Sequence, residues 1–454
     1  MRCTLVMHDQ TIAPSGLALR RPDPFSAGFR CLLVNPALPV TYWGFQEAMK
    51  ILGKATSQPP LGLITLAAHL PTSWELRLCD LNVAPLSDEE LGWADAVLVG
   101  GMLIQAPSMQ EIVARANAHG RLTVVGGAAP TTAPALFEEA DVIFRGEVEG
   151  RVDELVAAMA AHLGSSPPAR GQVLHAGASY PDASTMATPR YDLLRLDDYS
   201  SMSIQTSRGC PHQCEFCDII QIFGRRPRVK SKEQVLAELD VLHELGYRGA
   251  VFVVDDNFIG NKRAVRQLLP GLARWQQERD RPFDLTTEAS IDLADDDALM
   301  RGLVDAGFVA VFLGIETPSV EALRGANKAQ NLRLDLALAV ERVTRHGIEV
   351  MGGFIVGFDQ DGPEIFEAQR RFIESSPIPL AMVGVLNALP GTPLWQRMER
   401  EGRLRDTSTG DQFGAPNFVP AMGDGPLLRG YADLLAALYS PAAYYRRCRA
   451  SLRL

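Results

Sequence analysis

The chain has 454 residues, 46% hydrophobic and 22% charged, with a formal net charge of −10. That length accommodates two or three domains with sizeable cores, and the acidic balance excludes a broad basic surface for nucleic acid. No apolar run reaches the roughly 20 residues of a bilayer-spanning helix, and Met1 to Met7 meet His8 and Asp9 before an apolar signal core develops, so a cytoplasmic protein without an integral membrane segment is expected.

Residues 1–28, rich in Pro, Arg and Ser, read as a loosely ordered extension. Strand-like runs at 30–34, 74–80, 96–101, 122–127 and 142–144 then alternate with helical stretches such as 61–70. This alternation predicts a Rossmann-like, doubly wound parallel sheet over 29–163, with ligands bound beyond the carboxyl ends of its strands. The Gly/Pro/Ser-rich run 164–171 marks a boundary and opens a linker, 164–195. A second series over 196–400 has strands near 203–205, 250–254, 284–287, 309–313, 349–355 and 381–387, separated by helices such as 232–245 and 331–346. Six β/α units predict a partial (β/α)6, TIM-like barrel, followed by a short helical region, 401–454. Phe223, Tyr444 and Tyr445 read as core aromatics.

Seven cysteines, an odd number, argue against a disulfide framework. Cys31 and Cys79 lie in strand-like apolar runs and read as small core residues. Cys210, Cys214 and Cys217 fall within Ser207-Arg208-Gly209-Cys210-Pro211-His212-Gln213-Cys214-Glu215-Phe216-Cys217-Asp218, a C-x3-C-x2-C spacing after the first strand of the second series. Thiolates bind iron–sulfur clusters, and three can hold three irons of a [4Fe–4S] cube while the fourth iron stays open. A structural zinc site wants four ligands, usually as two spaced pairs, and no second pair exists; His212 is either a fourth ligand or faces the cavity.

With Phe216 in the aromatic place, this motif resembles that of the radical S-adenosylmethionine superfamily. The resemblance implies that Cys210, Cys214 and Cys217 hold the [4Fe–4S] cluster. The open iron would chelate S-adenosylmethionine, reductively cleaved to a 5′-deoxyadenosyl radical with electrons from a donor such as flavodoxin or ferredoxin. It implies S-adenosylmethionine contacts at Phe216, Asp255, Asp256, Asn257, Glu288, Ser290, Gly314 and Glu316. From the residues alone, Asp255 and Glu288 equally suit helix caps or arginine partners. The basic run 224–230 reads as a solvated loop or as a contact to an anionic group.

Gly126-Gly127-Ala128-Ala129-Pro130-Thr131-Thr132 resembles the glycine turn of cobalamin-binding domains. The implied cobalamin site comprises Tyr42, Trp43, Gly101, Met102, Gly126, Gly127, Pro130, Thr131, Gly146 and Glu147. The loop 35–44 has no histidine, so cobalt would lack a protein imidazole, and Tyr42 or Trp43 would shield its lower face. Further segments, among them Pro59-Pro60-Leu61-Gly62-Leu63, Cys79-Asp80-Leu81-Asn82 and Asn417-Phe418-Val419-Pro420, extend the resemblance to the cobalamin-dependent radical methylases that include the hopanoid ring methylase. It implies methyl transfer from methylcobalamin to an unactivated carbon of a small molecule, with lipid, terpenoid, tetrapyrrole and natural-product substrates all open. A non-methylating oxidation, rearrangement or cyclisation, and a non-catalytic cobalamin or cluster sensor, are the competing readings.

Overall fold

A computed structural model describes residues 25, 28–164, 170–175 and 180–454. Most of the extension and of the Gly/Pro/Ser-rich boundary therefore lies outside the described residues. Among the described residues no helix is long and apolar enough to cross a membrane.

The front sheet holds β1 (Arg30–Asn35), β2 (Glu75–Asp80), β3 (Ala96–Gly100), β4 (Leu122–Gly126), β5 (Val142–Arg145) and β6 (Gln172–His175), in the order β2-β1-β3-β4-β5-β6. All pairs are parallel. Helices cover both faces, which is why the central strands read as unbroken apolar runs. Leu32, Val34, Val97, Val99 and Val125 fill one core, while Cys31, Ala96, Leu98, Val124 and Val142 fill the opposite one, the period of two expected of a strand. Cys31 and Cys79 are buried free thiols. The sixth strand, β6, lies inside the expected linker; its side chains are mostly exposed on the sheet edge, so it carries no alternating apolar signal.

The second sheet comprises β7 (Ser201–Ile204), β10 (Gly249–Val253), β11 (Phe283–Ala289), β12 (Phe308–Glu316), β13 (Glu349–Val356) and β14 (Leu380–Val385), in the parallel order β7-β10-β11-β12-β13-β14. Between its first two strands a small antiparallel pair, β8 (Ser207–Arg208) and β9 (Arg228–Val229), brackets the cysteine loop. Val251, Val253, Leu285, Val311, Leu313 and Val350 point outward into the main core, against Leu239, Leu268, Leu303 and Val340 of the surrounding helices. The alternate residues, among them Phe252, Glu288, Phe312 and Gly314, face inward. The expected helix 331–346 starts only at Leu336, because Asp335 caps it through the amides of Ala337 and Leu338.

Six strands do not close a barrel, so β7 and β14 present edges whose backbone needs partners. The tail supplies them for β14. Tyr431 and Tyr439 donate to the carbonyls of Val383 and Ala381 at 2.8 and 2.7 Å. Just before the strand, buried Arg447 donates to Ile378 O at 3.0 Å. The tail aromatics expected as core divide differently: Tyr445 is 64% exposed and Tyr444 41%, because their helix, Pro441–Ser451, turns only one face inward. Phe223 is half-buried, with the Arg208 guanidinium 5.7 Å from its ring centre. The seam itself is spanned by front-domain residues 42–57. Ser200 and Ser201 donate backbone N–H groups to Thr56 O and Ser57 O, both at 3.0 Å, and across the gap Tyr42 Oη donates to Val383 O at 3.1 Å.

Candidate active site

The cysteine loop leaves β8 through Gly209, whose φ is +99°. A Cβ there would lie 2.9–3.0 Å from the carbonyl oxygens of Gly224, Phe223 and Arg226, so only glycine lets the chain pass. Asp256 accepts from the Gly209 amide at 2.9 Å, and the Cys210 amide donates to Gly224 O at 3.2 Å. The three thiols lie within one another's electrostatic field. Burial pushes Cys210 and Cys217 above the usual thiol range, so a metal must displace their protons as it binds. Among the described residues no three His, Cys, Asp or Glu side chains converge on a point that would hold a single ion. Three thiolates can each take one iron of a cube, whereas a structural zinc site wants four ligands. His212 completes no compact set either; it is half-buried and faces the field of Asp292.

Two residues that sequence reasoning missed reach the cysteines. Lys328 is buried, bonded to Glu316, and within the field of Cys214 and Cys217. Burial opposes its charge, but Glu316 and the thiols raise its pKa above the lysine range. Gln330 Nε2 lies 3.7 Å from Cys214 Sγ. No motif marks either residue, because the link runs through the fold rather than through local spacing.

The residues expected around S-adenosylmethionine gather at the carboxyl ends of β10, β11 and β12, in differing states. For Asp255 the helix-cap and arginine-partner readings are corrected. It neither caps a helix nor pairs with arginine, and its carboxylate accepts from Thr206 N at 2.6 Å, Thr206 Oγ1 at 2.5 Å and Ser207 Oγ at 2.7 Å. It stitches β10 to the segment leading into the cysteine loop. Burial pushes Asp256 up to about 7. Asn257 and Ser290 are tied together, Asn257 Nδ2 donating to Ser290 Oγ at 3.1 Å and Ser290 N donating back to Asn257 Oδ1 at 3.2 Å. Glu288 points inward with no hydrogen-bond or ion-pair partner among the described residues; burial, with Asp256 and Asp255 nearby, pushes it up to about 8. Glu316 adopts a left-handed φ of +66°, and its carboxylate is taken by Lys328 rather than left open. A side chain at Gly314 would collide with that pair. Phe216 lies beneath the Lys328 ammonium, 5.9 Å from its ring centre.

On the front sheet, Gly101, Gly126, Gly127 and Gly146 form a low backbone rim. Gly127 has φ +93°, and a Cβ there would sit 3.1 Å from the backbone N and O of Gly101. Thr131 Oγ1 ties the rim, donating to Gly127 O at 2.7 Å and accepting from Gly146 N at 2.9 Å. Pro130 is buried behind it and Met102 stands 52% exposed on it. Such a rim admits a large flat group against the backbone. At its far edge, His175 of β6 lies 3.4 Å from Arg145.

Three residues expected on the rim also have partners within the protein. Glu147 is buried between two guanidiniums, 2.7 Å from Arg208 Nη1 and 2.6 Å from Arg228 Nη2, while neighbouring Glu149 takes Arg208 Nη2 at 2.9 Å. That charge balances two part-buried arginines. Tyr42 and Trp43 extend to the barrel, drawn by the open seam and by inward rings: Tyr42 bonds β14, and Trp43 packs on Phe252 and Phe312. The basic run 224–230 is also resolved by position. Arg228 and Lys230 form buried pairs with Glu147 and Glu238, whereas Arg225 and Arg226 are exposed.

A parallel partial barrel with a three-cysteine loop at the end of its first strand defines the class, and the family model described as the Radical SAM superfamily matches residues 204–373. A second model, a domain of unknown function (DUF4070), matches residues 392–454. The chain is 44% identical to an uncharacterized methyltransferase of Synechocystis sp., over 92% of this chain and 77% of that protein. It is 36% identical to hopanoid C-2 methylase of Rhodopseudomonas palustris, over 92% of this chain and 78% of that one. The chain therefore belongs to the radical S-adenosylmethionine methyltransferases that include hopanoid C-2 methylase. Its fold is that of the radical S-adenosylmethionine methyltransferase TsrM from Kitasatospora setae, with a TM-score of 0.64 at 18% identity over 92% of this chain and 90% of that one. OxsB gives a TM-score of 0.64 at 19% identity over 83% of this chain, which spans 62% of the OxsB chain.

Proposed function

We propose that the chain is a cobalamin-dependent radical S-adenosylmethionine C-methyltransferase that methylates an unactivated carbon of a small molecule. The observation that carries the reading is the adjacency of its two halves. Glu147 follows the rim residue Gly146, and it is ion-paired to Arg208, which stands two positions before Cys210. A group on the glycine rim and a cluster in the cysteine loop would thereby be held near each other, as a reaction using both requires. The solved TsrM structure is described with cobalamin and a [4Fe-4S] cluster bound, and that of OxsB with aqua-cobalamin.

Cys210, Cys214 and Cys217 would hold the cluster, and the rim from Gly101 to Gly146 the cobalamin, with no imidazole from loop 35–44. When bound, these groups and S-adenosylmethionine supply the radical and the transferable methyl group. The chain's own residues set the environment. Lys328 places a buried positive charge beside the cysteines, suited to a carboxylate ligand at the open iron. Asn257 and Ser290 present a fixed amide–hydroxyl pair, and Glu288, protonated at neutral pH, presents a hydrogen-bond donor. Trp43, Phe252 and Phe312 add an apolar cluster of rings inside the barrel. Cytoplasmic location and an electron donor such as flavodoxin or ferredoxin belong to the same proposal.

Anaerobic reconstitution followed by incubation with methyl-labelled S-adenosylmethionine, a reductant and a panel of lipid, terpenoid and tetrapyrrole candidates tests it. Labelled methyl in a product, with 5′-deoxyadenosine and S-adenosylhomocysteine both formed, is expected. 5′-Deoxyadenosine with an altered but unmethylated product would establish an oxidising or ring-forming enzyme instead, and a chain that cannot cleave S-adenosylmethionine would be a sensor.

A further inference from the structure

Eight-stranded barrels fill their interior with layers of their own strand side chains. This six-stranded sheet does not: the inward positions Gly314 and Gly353 carry no side chain, and the Phe312 ring lies across Gly353. The space is filled from the other domain. Trp43 stacks on Phe252, with ring centres 5.4 Å apart and planes 24° apart, and leans on Phe312 at 5.2 Å. It is held in place on either side: Ser57 Oγ donates to Trp43 O at 2.7 Å, and Tyr42 anchors to Val383 O.

The level of this ring decides what it does. Phe252 precedes Asp255, Asp256 and Asn257 at the end of β10, and Phe312 precedes Gly314 and Glu316 on β12. Phe312 is also in register with Glu288 of β11. Trp43 therefore lies on the amino-terminal side of Asp255, Asp256, Asn257, Gly314 and Glu316, against a ring, Phe312, that is level with Glu288.

We propose that Trp43 forms the floor of the reaction chamber and sets its depth, and so determines how large an apolar substrate can descend beneath the radical-generating site. The proposal rests on the function proposed above. Its physical content is a hollow: truncating either half-buried ring, Trp43 or Phe312, deepens the space between Trp43, Phe252 and Phe312, and a space lined by aromatic rings accepts a benzene-sized guest.

The test uses the full chain as Trp43→Ala and, because that variant can fail to fold, also as Phe312→Ala, which opens the same space from the opposite wall. The probe is toluene deuterated on its methyl group. In the cofactor-free chain, toluene is expected to raise the melting temperature of the variants by ~1 °C or more and to leave the parent unchanged. In the reconstituted, reduced chain, S-adenosylmethionine cleavage is expected to yield at least tenfold more deuterated 5′-deoxyadenosine from the variants than from the parent. One C–D bond of toluene breaks, one C–D bond forms at the 5′ carbon, and a benzyl radical remains. Absence of a thermal shift in both variants overturns the proposal. So does toluene that stabilises a variant without giving deuterium, because the void is then a sealed core and not the chamber. No 5′-deoxyadenosine from parent or variants would instead overturn the proposed function, and this inference with it.

Discussion

Replacing Glu147 with alanine removes one buried carboxylate from between two part-buried guanidiniums. Breaking a buried ion pair by deleting one partner costs about 3–5 kcal/mol, because the remaining charge is left uncompensated. Here the loss is partly cushioned: Arg208 keeps Glu149 at 2.9 Å, and Arg228 keeps the carbonyls of Pro181 and Phe223 at 2.9 and 3.1 Å. The expected destabilisation is therefore at the lower end, about 3 kcal/mol. Removing Asp192 from its exposed pair with Arg190 should cost only about 0–1 kcal/mol. Urea unfolding of the cofactor-free chain compares the two. Amide exchange supplies the local readout, since Arg208 anchors the entry to the cysteine loop and exchange across 207–217 should quicken only in Glu147→Ala. A loss below ~1 kcal/mol, or a full loss with exchange unchanged in that loop, would refute the account of the network as the brace between rim and loop.

Glu288 should give a pH signature. Its folded value of about 8 lies above the ordinary 4.5, so the native chain retains a proton that the unfolded chain releases, and the associated stability, full below 4.5, is lost as pH rises through 8. Glu288→Gln should reduce the fall in melting temperature between pH 5 and 8, leaving the slope due to the other raised carboxyls, among them Asp256 and Asp361; an unaltered slope would contradict the burial argument. Gly209→Ala should lower iron bound per chain after reconstitution, because three carbonyls occupy the space of its Cβ; full iron loading would show that the loop has room to shift. Lys328→Met should destabilise the chain by about 3 kcal/mol in urea by stranding the Glu316 carboxylate, and should weaken S-adenosylmethionine binding at least tenfold in equilibrium dialysis of the reconstituted protein. Unchanged affinity would detach Lys328 from the ligand.

The legible parts of the fold are those whose signal is local. Central parallel strands are buried on both faces, so segments such as Leu32–Leu33–Val34 and Val97–Leu98–Val99 announce themselves, and three cysteines within eight residues need no tertiary information. The strand β6 was illegible because an exposed edge strand lacks an apolar period. Glu147 with Arg208 and Arg228, and Glu316 with Lys328, were illegible because the partners meet only after the two sheets pack or after β12 turns back past its end. The packing of Trp43 on Phe252 and Phe312 was illegible for a related reason: a ring in a loop beyond β1 finds these partners only across the open side of the second sheet.

That the strap 42–57 borders both β7 and β14 has a consequence for how the protein can be cut or recombined. A fragment beginning after the front sheet would uncover the β7 edge and a hollow lined by Phe252 and Phe312, while β14 keeps its tail partners; an uncovered strand edge beside apolar rings drives sheets to aggregate. A chimera that exchanges front domains between relatives should accordingly inherit this strap from the same parent as the barrel it closes.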